Sequence, residues 1–235
     1  MDKLTRKELK SDKFALEVQH GVEFVSEHRK QMLRWGPPAI ALVLIIAGLL
    51  WYRSYARDQR QEALYHALKV QNSTISAEAP NAFVVTFPTT QAREEAVVKT
   101  WKDLAAKYSG SEEAAIAEYF LGTTAADAGN LADATRYFQA AIDGANAAYA
   151  SQAKLALAEV YGAQGKVQEG EKLIQSVIDH PTVVVSKDAA VLAMADLIKN
   201  TDPKRAHQLV DPLRTSTRSA VSRAAITLEG SLSKQ

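Results

Sequence analysis

The side chains best suited to proton transfer or metal ligation in this 235-residue chain are its five histidines, His20, His28, His66, His180 and His207. No two of them stand at i, i+4 beside an acid, the spacing that turns two imidazoles toward one zinc ion. The chain has no cysteine, which excludes disulfides, thiolate zinc sites, iron–sulfur clusters and thiol nucleophiles. Neither a glycine-rich phosphate loop nor a G-x-S-x-G nucleophile elbow occurs. The acidic pairs Glu94–Glu95 and Glu112–Glu113 open helical patterns, where carboxylates favour the positive end of the helix dipole. These residues therefore point to no enzyme, and to no cofactor or metal. What the chain offers for recognition is apolar surface, and the elements that carry it decide what that surface can meet.

The first such element is Trp35 to Tyr52, WGPPAIALVLIIAGLLWY, 18 residues without a charge between Arg34 and Arg53. As a helix it reaches about 27 Å, enough for the apolar core of a bilayer. Trp35 at one end and Trp51–Tyr52 at the other suit the two headgroup levels. Pro37 and Pro38 are expected in a first turn, where a missing N–H costs little. The reading is an uncleaved transmembrane signal-anchor over residues 35–53. No small-x-small cleavage site follows the run, and it starts too deep in the chain for a removed signal peptide.

Residues 1–34 form a short amphipathic helical tail. Phe14, Val18, Val22 and Val25 recur at helical spacing and make a candidate docking face for a partner helix or the membrane surface. The tail carries eight Lys+Arg and six Asp+Glu, and those acids exclude a transit peptide. Residues 53–235 carry 20 Lys+Arg and 21 Asp+Glu, a net charge of −1, which argues against a nucleic-acid partner. With its basic tail and near-neutral domain, the chain is expected to keep its N-terminus in the cytoplasm and its larger domain outside.

Residues 54–111 read as a linker helix, a loop and a degenerate first helix pair. Ala63, Leu64, Ala67 and Leu68 form one stripe; Val97, Trp101 and Leu104 form another. Between them Pro80 and Pro88 bracket Phe83-Val84-Val85-Thr86-Phe87, read as an extended loop pinned on the helices by Phe83 and Phe87 or as a flap that binds a partner or covers a groove.

Beyond residue 111 one outline recurs every 36 residues, centred on Ala134, Gly170 and Ala206. The first unit runs Leu121-Gly122-x-x-Ala125, Gly129-Asn130, Ala134-x-x-x-Phe138. The second runs Leu157-Ala158-x-x-Tyr161, Gly165-Lys166, Gly170-x-x-x-Ile174. The third runs Ala193-Met194-x-x-Leu197, Thr201-Asp202, Ala206-x-x-x-Val210, without a turn glycine. These units resemble tetratricopeptide repeats, paired antiparallel helices with small residues where they cross. Here the period is 36, not 34, and the usual early Trp is replaced by Glu118, Lys154 and Ala190.

The expected fold is all-α. A single transmembrane helix leads into a tetratricopeptide-like right-handed α-solenoid of about four helix pairs. Three repeats occupy 112–213, and a capping helix at Ser219–Leu232 falls within 214–235.

The resemblance places the first helix of each pair along a concave groove. Carried onto this chain, its positions are Ile116, Tyr119, Thr123 and Asp127, then Gln152, Leu155, Glu159 and Ala163, then Asp188, Val191, Ala195 and Ile198. Tyr119, Thr123, Leu155, Glu159, Val191 and Ile198 are the candidate partner-binding residues. Family members that grip a chaperone's terminal carboxylate use Lys, Arg and Asn there, and this chain does not. A charged tail, one anchor and an alanine-rich repeat domain also resemble the ancillary subunit of the bacterial Sec translocon. That resemblance implies an inner-membrane protein with a periplasmic repeat domain. Its expected partners are the translocon, exported proteins or periplasmic chaperones. A structural subunit or assembly factor of another membrane complex is the alternative.

Overall fold

The computed structural model of the chain describes residues 6–76 and 84–232, with side chains described from Arg34 onward. As expected it is all-α, apart from one pair of two-residue strands. The expected tail face at Phe14, Val18, Val22 and Val25 lies outside the residues whose side chains are described, and Phe83 lies outside the described residues.

The chain divides into one unit ending at Asp58 and a second beginning at Gln59. Helix α1 (Arg6–Gln71) is unbroken, so Pro37 and Pro38 stand inside it and not in a first turn. Within Arg34–Gln71 the most apolar window has a mean hydropathy of 1.7 and none of it is buried. Leu44 is 67% exposed and Trp51 72%. The helix is long and apolar enough to span a membrane.

In the second unit, the end of α1 is followed by strands β1 (Thr74–Ile75) and β2 (Thr86–Phe87), which pair in parallel with Thr74 opposite Thr86. Helices α2 (Thr90–Lys107), α3 (Glu112–Asp127), α4 (Leu131–Gly144) and α5 (Ala147–Ala163) come next. They are followed by α6 (Val167–Asp179), α7 (Lys187–Ile198), α8 (Pro203–Val210) and α9 (Ser219–Leu232). From α2 to α9 each helix packs on the next, and α3, α5, α7 and α9 also touch in succession. Those four therefore form one layer, with α4, α6 and α8 behind it.

Local chemistry explains the boundaries. Side-chain oxygens of Thr89, Ser111, Asn130, Asn146, Ser186 and Asp202 accept N–H groups in the first turns of six helices. Gly129 and Gly165 take positive φ, 74° and 76°, to end α3 and α5. The following N–H then reaches back, Asn130 to the Ala125 carbonyl and Lys166 to the Tyr161 carbonyl, each at 2.8 Å. The third unit, without a turn glycine, ends α7 differently: the Asp202 N–H closes on the Ile198 carbonyl at 2.7 Å.

Three buried clusters follow one another along the stack. Ala67 and Val70 of α1 meet Val97, Trp101 and Leu104 of α2 in the first, with Phe87 against its edge. Ala134, Phe138 and Leu157 belong to the second, and Ile174, Met194, Ile198 and Val210 to the third. The small residues sit at close approaches. A Cβ on Gly170 would lie 3.0 Å from the Ala158 carbonyl oxygen, and Ala134 has no exposed surface. Ala134→Leu should therefore overpack the α4 crossing and cost about 1–3 kcal/mol. A lowered thermal midpoint of the full chain would show this, and an unchanged midpoint would contradict the crossing.

Candidate protein-binding groove

Residues four apart on a helix share a face, so Tyr119, Thr123 and Asp127 of α3 stand in a row. Leu155, Glu159 and Ala163 do the same on α5. The two rows face a common groove of about 590 Å³, closed on the far side by Ala189 of α7 and by Val184 and Val185 of the α6–α7 loop. Four of the six predicted residues, Tyr119, Thr123, Leu155 and Glu159, are thus brought together.

The other two are not. Val191 is half-buried on α7 and does not line the groove. Ile198 has no exposed surface and belongs to the third core cluster, so its assignment to the groove is corrected here. It packs in the cluster that α7 shares with α6, α8 and α9. Ala195 has no exposed surface either, because α9 packs on α7 and shares its buried cluster. Ile116, at the start of the predicted row on α3, is 5% exposed and also belongs to the interior.

Tyr119 is the aromatic hinge of the groove wall. Its ring lies 5.4 Å from Phe120, 5.9 Å from Phe138 and 6.0 Å from Tyr149, which fixes its direction. Burial raises its phenol pKa, a hydrogen bond with Thr123 opposes this, and Glu159 and Tyr149 raise it further. The Glu159 carboxyl is also held above its ordinary range, first by the apolar surroundings and then by Asp196. Glu159 is nevertheless an exposed residue, and it borders a second cavity of about 220 Å³ with Asp196 and Asn200. Among the described residues the groove lining contains Asp127 and Glu159 but no Lys or Arg. A chaperone carboxylate would meet like charge here.

A larger hollow of about 810 Å³ lies along α2 and the end of α3. Its wall alternates Arg93, Glu94, Lys99 and Asp103, and Lys99 is paired with Asp103 at 2.6 Å. That wall carries charges of both signs, and an exposed pair of this kind contributes little. No three metal-capable side chains converge among the described residues.

Sequence reasoning missed the valine loop. The run Thr182-Val183-Val184-Val185 was the available signal, three β-branched apolar residues between two helices. Val183 is fully exposed and Val184 49% exposed. Thr182 holds the turn: its N–H donates to the Val185 carbonyl at 2.9 Å, and its Oγ1 accepts the Val185 N–H at 3.0 Å. The same Oγ1 lies 2.9 Å from Ser151 Oγ on α5, tying the loop to the groove wall.

No curated protein and no solved structure matches the chain. The tetratricopeptide repeat-like domain matches residues 32–201, from just before the apolar run to the end of the third unit's first helix. That match covers well over half of the chain and agrees with the stacked pairs and the groove, so the chain belongs to the tetratricopeptide repeat-like domain family.

Proposed function

We propose that this protein is a membrane-anchored interaction module whose groove between α3 and α5 receives other proteins. The observation that carries this reading is the single family match running through both the apolar segment and the repeats. A domain inherited together with an anchor works at a membrane surface, and its exposed apolar groove suits an extended or helical protein segment. In the fuller reading, the Trp35–Tyr52 span sits in the inner membrane with the tail cytoplasmic and the repeats periplasmic. There the protein is an accessory of the Sec translocon and contacts exported proteins or periplasmic chaperones. The architecture described above and the basic tail support that placement.

Two experiments test it. Protease added to spheroplasts should digest residues 59–235 and spare the tail; repeats protected until lysis would reverse the orientation. A photo-crosslinker at Leu155 or Tyr119 should capture translocon subunits or exported chains, while one at exposed Gln139 or Gln175, on the α4 and α6 layer, should not. Equal capture from both layers would remove the groove from the reading. Capture of a different membrane complex would favour a structural or assembly role there.

A further inference from the structure

We propose that the groove selects an apolar peptide segment bearing a lysine or arginine, and that this cation is set against Glu159. The inference rests on the reading of the groove as the partner site and names the chemistry that the site accepts.

The apolar half of the preference comes from the walls. Leu155 and Ala156 of α5 and Tyr119 of α3 are partly open to the groove, and Val184 faces them from the loop. At the rim Val183 has its whole side chain in water. Thr182 and Ser151 hold this loop in a defined turn, so the valines stay presented where a loose loop would fold them away. Apolar side chains held outward beside an apolar groove are the signature of a contact surface.

The cationic half comes from Glu159. Its carboxylate stands where the main groove meets the smaller cavity, so a side chain lying along the groove passes it. Tyr119 faces it from α3 and Asp196 from α7, one neutral and one of like charge. Asp196 is already paired with Lys199 at 2.8 Å, and that lysine lines neither cavity. Among the described residues neither lining brings a Lys or Arg to this exposed carboxylate, so an incoming cation gains a charge-assisted hydrogen bond there. Asp127, exposed in the groove lining, adds a second negative charge. The complementary segment is therefore apolar with a basic residue. A terminal carboxylate, a phosphopeptide or a nucleic acid would meet repulsion.

The test uses the full chain in nanodiscs, with empty nanodiscs as the background. Three dye-labelled peptides of leucine and alanine differ only at a central lysine, glutamine or glutamate, and binding is read by fluorescence anisotropy. The lysine peptide should bind about tenfold more tightly than the glutamate peptide. Glu159 is exposed and belongs to no core cluster, so its replacement leaves the core intact. Glu159→Gln should level the three affinities, and Glu159→Lys should reverse their order. Three equal affinities on the unsubstituted protein, no binding by any peptide, or an order unchanged in Glu159→Lys would each overturn the proposal. The crosslinking experiment fails separately. Capture of an unrelated complex would refute the translocon reading while leaving the lysine preference standing. Equal peptide affinities with translocon subunits captured would refute only the cation preference.

Discussion

Replacing Trp101 with alanine should destabilise the repeat unit by about 3–5 kcal/mol, the range for losing a large buried aromatic side chain. Trp101 has no exposed surface and joins three helices. Its indole stacks on Phe120 of α3 at 4.4 Å between ring centres and 8° between planes. Its Nε1 donates to Gln71 Oε1 at the end of α1, at 2.8 Å. Trp101→Ala therefore opens a cavity, removes the stack and leaves the Gln71 oxygen without its donor. Trp101→Phe keeps most of the packing and loses the hydrogen bond, and should cost only about 1–2 kcal/mol. Denaturant unfolding of the full chain in nanodiscs, followed by circular dichroism, reads both. An unchanged midpoint for Trp101→Ala would mean that the α1 end does not rest on α2 and α3 as described.

Glu113→Gln should produce the second large loss, about 2 kcal/mol at neutral pH. Glu113 is the second residue of α3, and its side chain is only 6% exposed. Arg60 Nε donates to one carboxylate oxygen at 3.0 Å and Gln61 Nε2 to the other at 2.9 Å. Burial by itself would raise this carboxyl, but its backbone N–H, Gln61 and Arg60 together outweigh burial and leave it lowered. Arg60 is 30% exposed and can rehydrate when its partner is removed, so the loss falls short of that for a fully buried pair. A lowered folded value means that the stabilisation is complete above the ordinary carboxylate range and disappears as pH falls through the folded value. The difference in Tm between the unsubstituted protein and Glu113→Gln should therefore narrow below that range. A constant difference across acid pH would show that Glu113 acts through packing alone.

Several features of this protein were legible in residue order because their causes are local. The apolar run from Trp35 to Tyr52 defines its helix by composition. Gly129 and Gly165 end helices because they accept positive φ, and Asn130 starts the helix after Gly129 through its own side chain. Ala134, Gly170 and Ala206 stand 36 residues apart because each repeat needs a small residue at the same crossing. That period also placed Tyr119, Thr123, Leu155 and Glu159 on one surface, since both rows follow helical spacing.

Other features depend on segments distant in the chain, and nothing in their local sequence marks them. Arg93 closes the end of α1 by donating to the Ser73 and Gln71 carbonyls, across 20 and 22 residues. Arg60 meets Glu113 across 53. Val184 enters the groove only because Thr182 ties its loop to Ser151 on another helix. Ala195 and Ile198 show the limit of the period: both lie in the core, in the cluster that the capping helix α9 joins by packing on α7. Residue order determined the helices, the turns and the repeat, each set by neighbours within a few residues. Tertiary packing decided which faces stayed open, because exposure depends on what the rest of the chain lays over them.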